Sequence, residues 1–217
     1  MEEEIQSIIA DMHAMFNAAE GPRTRQEYMR EHGVSGRNWH FGLSAEDIIE
    51  NKIPANVIGC TGRAKLFCYL AAQKGIKASV VCTAKYDDWK AVRDGKKDSI
   101  MSGHQIIAVK IGDKLRVFDP GRKDLVFIDT KLKSGEFIDA IGVGKREYIV
   151  TAVVPGDKFE EMNTYQKLSN LYTSGDMNNP EFTIRPRTPE SFNRAEKSLR
   201  GRILSMVKRL IPAREDK

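Results

Sequence analysis

The chain has 217 residues, 41% hydrophobic and 8% aromatic, which is too apolar for wholesale disorder and long enough for one domain with an appendage. A net charge of +5 suggests an anionic partner, but residues 185–217 hold ten basic and four acidic side chains while the rest holds 25 basic against 26 acidic. No apolar run approaches the ~18 residues of a membrane span, and three cysteines without C-x-x-C spacing argue against a disulfide framework or a zinc ribbon.

Met1-Glu2-Glu3-Glu4 is acidic where a secretory leader would be basic, so a reducing, cytoplasmic setting is expected. Residues 2–19 carry Ile5, Ile8, Ile9, Met12, Met15, Phe16 and Ala19 on one helical stripe, which Gly21-Pro22 ends. A second helix is expected from Thr24 to Glu31, stopping at Gly33, and Val34 to Phe41 reads as a loop. Ser44 with Asp47 is a capping signature before Ile48 and Ile49, and Pro54 breaks the pattern. Cys60 to Lys74 is rich in helix formers, with Gly75 as its stop.

After Gly75 the period changes to two. Lys77–Tyr86, Gly103–Ile111, Lys114–Asp119, Leu125–Thr130 and Glu147–Val154 read as strands, joined antiparallel by short turns such as Gly112-Asp113. The polar stretch from Asp87 to Ser102 is long for a hairpin loop and is expected to gate a cleft. Asp157 to Leu171 is helical in pattern, and Thr188-Pro189 opens a last helix. There Phe192, Ala195, Leu199, Ile203, Met206 and Leu210 form an apolar stripe, with Arg194, Lys197 and Lys208 on the opposite face. Helices followed by an antiparallel meander make an α+β class.

The chemistry concentrates in Gly59-Cys60-Thr61-Gly62-Arg63-Ala64, where a cysteine follows a glycine at a helix start. Unpaired N–H groups and the positive dipole end stabilise a thiolate there, and can also stabilise an oxyanion on an attacked carbonyl. A nucleophile needs a base, and among the four histidines only His104 opens a predicted strand. With Gly112-Asp113 as a two-residue loop, Asp119 would stand opposite Ile106 and Gly121 opposite His104. His104 and Asp119 then project from the same face as diagonal neighbours, ~7–8 Å apart or less at Cβ, within reach of an imidazole–carboxylate bond. A single bulge in this hairpin would break that relationship.

Gly59-Cys60, Ala64, Phe67, Leu70, Gly75-Ile76 and Ala78, then Gly103-His104, then Val117-Phe118-Asp119-Pro120, together resemble the transglutaminase-like superfamily over residues 44–121. The resemblance implies a papain-like core: N-terminal helices and a nucleophile helix packed on an antiparallel β-sheet, plus C-terminal helices. It implies Cys60 as nucleophile, His104 as base and Asp119 as orienting acid, within a catalytic domain of residues 1–184. Trp39 is an oxyanion candidate because an upstream tryptophan serves in some relatives, and Asn56 is another because it lies four residues before Cys60. Thr61-Gly62 and Gln105-Ile106 stand where the animal cross-linking enzymes of that superfamily carry aromatics.

The expected function is cysteine-dependent amide hydrolysis or acyl transfer (protease, deamidase or transamidase type) on a peptide, protein or other amide-containing substrate, through a thioester acyl-enzyme. The alternative is a catalytically degenerate transglutaminase-like module whose basic tail, residues 185–217, engages an anionic partner. Neither a cofactor nor a metal is expected, since no two histidines have ligand spacing. Cys68 and Cys82 read as small buried hydrophobes. His13 reads as a stripe-edge residue, His32 as a helix C-terminal residue, and His40, beside Trp39, as a core or surface residue, with a place in a pocket wall as the alternative. Gly142-Val143-Gly144-Lys145 lacks the earlier glycine of a phosphate loop, because Asp139 stands there, and reads as a turn.

Overall fold

Glu2, Glu3 and Glu4 place their carboxylates in the first turn of helix α1 (Glu2–Ala18), at the positive end of its dipole. A computed structural model describes residues 1–18, 24–34, 39–130, 132–133, 135–164, 167–168 and 171–172. The expected stop at Gly21-Pro22, the last helix from Thr188 and the whole basic tail of 185–217 lie outside those residues. Ile5, Ile8, Ile9 and Met12 of α1 are at most 1% exposed and turn toward the central helix α5 described below.

Helix α2 (Arg25–Glu31) starts at Thr24, whose side chain accepts from the Glu27 N–H while the Glu27 carboxylate takes the Thr24 N–H in return. The expected loop up to Phe41 instead ends in one helical turn, α3 (Trp39–Gly42). The buried Lys65 explains it: its ammonium donates to the Phe41 and Leu43 carbonyls, acceptors that the end of a helical turn leaves free. Helix α4 (Ala45–Glu50) carries the expected Ser44–Asp47 capping box. Helix α5 (Ala55–Gln73) begins one turn earlier than its sequence pattern suggests and is broken at Gly59.

Strands β1 (Ala78–Lys85), β2 (Gly103–Ile111), β3 (Lys114–Phe118), β4 (Phe137–Ile138) and β5 (Tyr148–Pro155) form one antiparallel sheet in the order β3-β2-β1-β5-β4. The class is therefore α+β. Helix packing covers one face, where Val80, Cys82, Ile107, Val109 and Phe118 join the main core. The alternate residues Val81, Ile106, Ala108, Val117 and Val150 meet Ile128, Ile138 and Ala140 on the other face. Between Cys82 and Thr83 the β1–β5 register shifts by one, and the Thr151 hydroxyl donates to the Cys82 carbonyl at this bulge.

Three further expectations change. The stretch from Asp87 to Ser102 is not all loop: Tyr86–Arg93 forms helix α6, burying Trp89 and Val92 at helical spacing. Leu125–Thr130 is not a strand; Ile128 alone bridges to Val117. Its period-two pattern reflects burial, since Leu125 and Phe127 pack on the main core and Ile128 on the second cluster. The helix expected over Asp157–Leu171 is interrupted: α7 (Gly156–Phe159) ends, and Thr164 caps a second helical stretch, to which the described residues 167–168 and 171–172 belong, by accepting from the Lys167 N–H. Asp139 accepts from the Val143 and Gly144 N–H groups, making the Gly142–Lys145 stretch the turn it was read as. Among the described residues no helix is long and apolar enough to cross a membrane.

Candidate active site

Pro54 opens α5, and the chain then reaches Gly59 with φ 64° and ψ −161°, a conformation open essentially to glycine alone. The helix restarts at Cys60, so the thiol sits in the first turn of a new helical run instead of inside a continuous one. A side chain at Gly59 would also press on the Arg25 guanidinium, 3.4 Å from its Cβ position.

The β2–β3 hairpin closes through Gly112-Asp113 with Ile111 opposite Lys114 and Ile107 opposite Phe118, the register the two-residue loop requires. Asp119 leaves the ladder one residue later. Its Oδ2 accepts from Nε2 of His104 at 2.9 Å, and its Oδ1 accepts from the Gly121 N–H at 2.7 Å. With Nε2 engaged, Nδ1 is the ring nitrogen left for Cys60, whose thiol lies near enough for hydrogen bonding and charge to couple the two. Because β3 has turned away, the Gln105 N–H, which alternation aims at that edge, points to the Cys60 sulfur.

These contacts set the charges. Burial pushes the Cys60 thiol up, but the His104 hydrogen bond and charge and the N–H groups of Gln105 and Cys60 outweigh it, leaving the thiol below its ordinary range. Burial alone would lower His104, yet its bonds to Asp119 and Cys60 raise it to about 9. Burial likewise disfavours the Asp119 carboxylate, and His104, the Gly121 N–H and nearby Arg63 hold it below the usual range all the same. The arrangement favours a thiolate–imidazolium pair braced by a carboxylate. Cys68 and Cys82 have no such partners; burial pushes Cys68 up to about 12 and raises Cys82 too.

A cavity of about 300 Å³ opens on Cys60 between α2, α3 and the start of β2. Arg25, His40, Phe41, Met101 and Tyr172 are among the side chains that line it. No family model, curated protein or solved structure matches the chain. Among the described residues no cluster of three or more His, Cys, Asp and Glu side chains could hold a metal ion.

Cys60, His104 and Asp119 come together in space. Trp39 packs its ring against Tyr28 at 5.4 Å, Asn56 is exposed on the first turn of α5, and neither lines the cavity. Three further residues shape the site. Gln105, 2% exposed, accepts from the Thr61 hydroxyl and donates to Tyr172. Tyr172 lies so close to Gly103 that a Cβ there would collide with its ring. The Arg25 Nε donates to the Val57 carbonyl at 3.0 Å. Alternation with His104 marks Gln105 as facing the helix side; no local pattern marks Arg25 or Tyr172, whose partners are 32 and 67 residues away.

Proposed function

We propose that the protein is a cysteine-dependent amide hydrolase or acyl transferase with a transglutaminase-like, papain-like core, acting on a peptide, protein or other amide-containing substrate. The observation that carries this reading is the His104 ring held between the Asp119 carboxylate and the Cys60 thiol. Support also comes from the position of Cys60 at a helix restart and from adjacent strands supplying the His and the Asp. A cytoplasmic, reducing setting suits a nucleophilic thiol that must stay unpaired.

In this reaction the Cys60 thiolate attacks the amide carbonyl carbon, and the carbonyl π pair moves onto oxygen. Backbone N–H groups at the helix restart are the donors suited to that oxyanion. As the tetrahedral adduct collapses, the C–N bond breaks and the His104 imidazolium gives its proton to the departing amine. The neutral ring then takes a proton from water or an acceptor amine, which attacks the thioester and releases the thiolate. Asp119 keeps Nε2 occupied through both steps, so the ring presents the same nitrogen each time.

The test uses 4-nitrophenyl acetate as acyl donor. A burst of nitrophenolate with the acetyl group on Cys60, lost in Cys60→Ala and slowed about 10²-fold or more in His104→Ala, is expected. Acetylation that bypasses Cys60, or that ignores His104, overturns the reading.

A further inference from the structure

We propose that the cavity beside Cys60 selects an acyl group bearing a carboxylate, an acidic side chain or a free carboxyl end, with Arg25 as its counter-ion. The proposal rests on the reading of Cys60 as the nucleophile and adds the substrate class.

Position comes first. Cys60 lines the cavity, and Gly103 and Gln105 flank His104 there, but the His104 ring itself stays outside the space. The departing amine must sit beside His104 to receive its proton, which leaves the cavity for the acyl part of the substrate. At about 300 Å³ it is at the small end of ligand pockets, which span about 300–1,000 Å³, and so suits a short group.

Charge comes second. Arg25 reaches the cavity from the first turn of α2, and its Nε–H on the Val57 carbonyl fixes the plane of the guanidinium. That bond leaves the terminal amino groups of the fork, one of them beside Gly59, to meet a ligand. Among the described residues no acidic side chain lines the cavity, and none of the ion pairs includes Arg25. Of the other titratable groups there, Cys60 is near enough for its charge to act on Arg25, and His40 is buried and stays neutral at pH 7, because burial and the Arg25 charge push it down to about 4. A half-buried guanidinium that faces no carboxylate among the described residues favours an anionic guest, and a planar carboxylate matches its fork.

The remaining walls set the fit. Phe41, Ile58 and Leu168 supply apolar surface, and the Tyr172 ring, held by Gln105, closes one side. A carboxylate on a short hydrocarbon stem matches this mixture of one cation and apolar walls.

The experiment compares alkylation of Cys60 in the full chain by iodoacetate and by iodoacetamide, which differ in carrying a carboxylate or a neutral amide. Site-resolved rates at pH 7 and low salt are read by mass spectrometry. The iodoacetate-to-iodoacetamide ratio is expected to fall about tenfold in Arg25→Gln and to recover in large part in Arg25→Lys. A ratio that Arg25→Gln leaves alone overturns the proposal. A measurement on the unsubstituted chain does not depend on how the variants fold: acetate should protect Cys60 from iodoacetamide, and acetamide should not. Equal protection by both, or by neither, overturns the proposal as well. If neither reagent labels Cys60 faster than Cys68, it is the nucleophile reading that fails, and the carboxylate preference falls with it.

Discussion

Asp119 holds His104 from the side opposite Cys60, with 2.9 Å between its Oδ2 and Nε2 of the ring. Together with Cys60 it keeps the ring positively charged to about pH 9, and that charge favours the Cys60 thiolate in turn. Asp119→Ala removes one support of the imidazolium, so the His104 pKa falls and the thiol pKa rises. The rising limb of Cys60 alkylation against pH should therefore move upward. Near pH 6.5 the rate should drop by up to about tenfold, the limit on thiolate loss when a thiol pKa climbs by about one. Rate profiles with iodoacetamide, together with an NMR titration of His104, check both directions.

Gly59→Ala tests the helix break. A residue with a Cβ at φ 64° and ψ −161° costs about 1–3 kcal/mol, and here it also meets Arg25. Urea unfolding should show a loss of that size. Cys60 alkylation should slow as well, because a relaxed backbone would carry the thiol away from His104. Stability and reactivity both unaltered would mean the kink is dispensable.

Asp88 anchors the segment that follows α6. Its carboxylate accepts from Lys97 at 2.7 Å, from the Met101 N–H at 2.6 Å, and from the Ser102 N–H and hydroxyl at 2.9 Å each. Met101 lines both the Cys60 cavity and a neighbouring hollow of about 630 Å³, so this anchor sets the boundary between them. Asp88→Ala should cost roughly 1.5–3 kcal/mol, since hydrogen bonds to a charged acceptor are lost while Lys97 and Met101 stay open to water. Hydrogen exchange at Met101 and Ser102 should rise more than exchange in β2.

His40 makes stability depend on pH. Its pKa is 6.5 when unperturbed and about 4 in the folded chain, so between these values the unfolded form binds more protons. Its contribution is fully present above pH 6.5 and is lost as pH falls through about 4, a change of up to roughly 3 kcal/mol. Urea midpoints measured from pH 7 to pH 4 should fall less steeply for His40→Gln than for the unsubstituted protein.

Features that depend on neighbouring residues could be read without coordinates. Thr24 with Glu27 and Ser44 with Asp47 cap their helices through bonds spanning three residues. The Gly112-Asp113 turn forces the β2–β3 register, which is enough to bring His104 and Asp119 together. Gly59 before Cys60 signals a helix start because few other residues tolerate that backbone. Chain folding over long separations decided the rest. The pairing of β5 with β1 inserts the last long strand into the sheet interior, and no turn chemistry specifies that order. Cys60 meets His104 because α5 packs across the end of β2 where β3 turns away, and Arg25 enters the cavity because α2 docks against Val57. Local hydrogen bonding is written in residue spacing, whereas those contacts depend on which buried faces fit one another, a choice made only when the whole core closes.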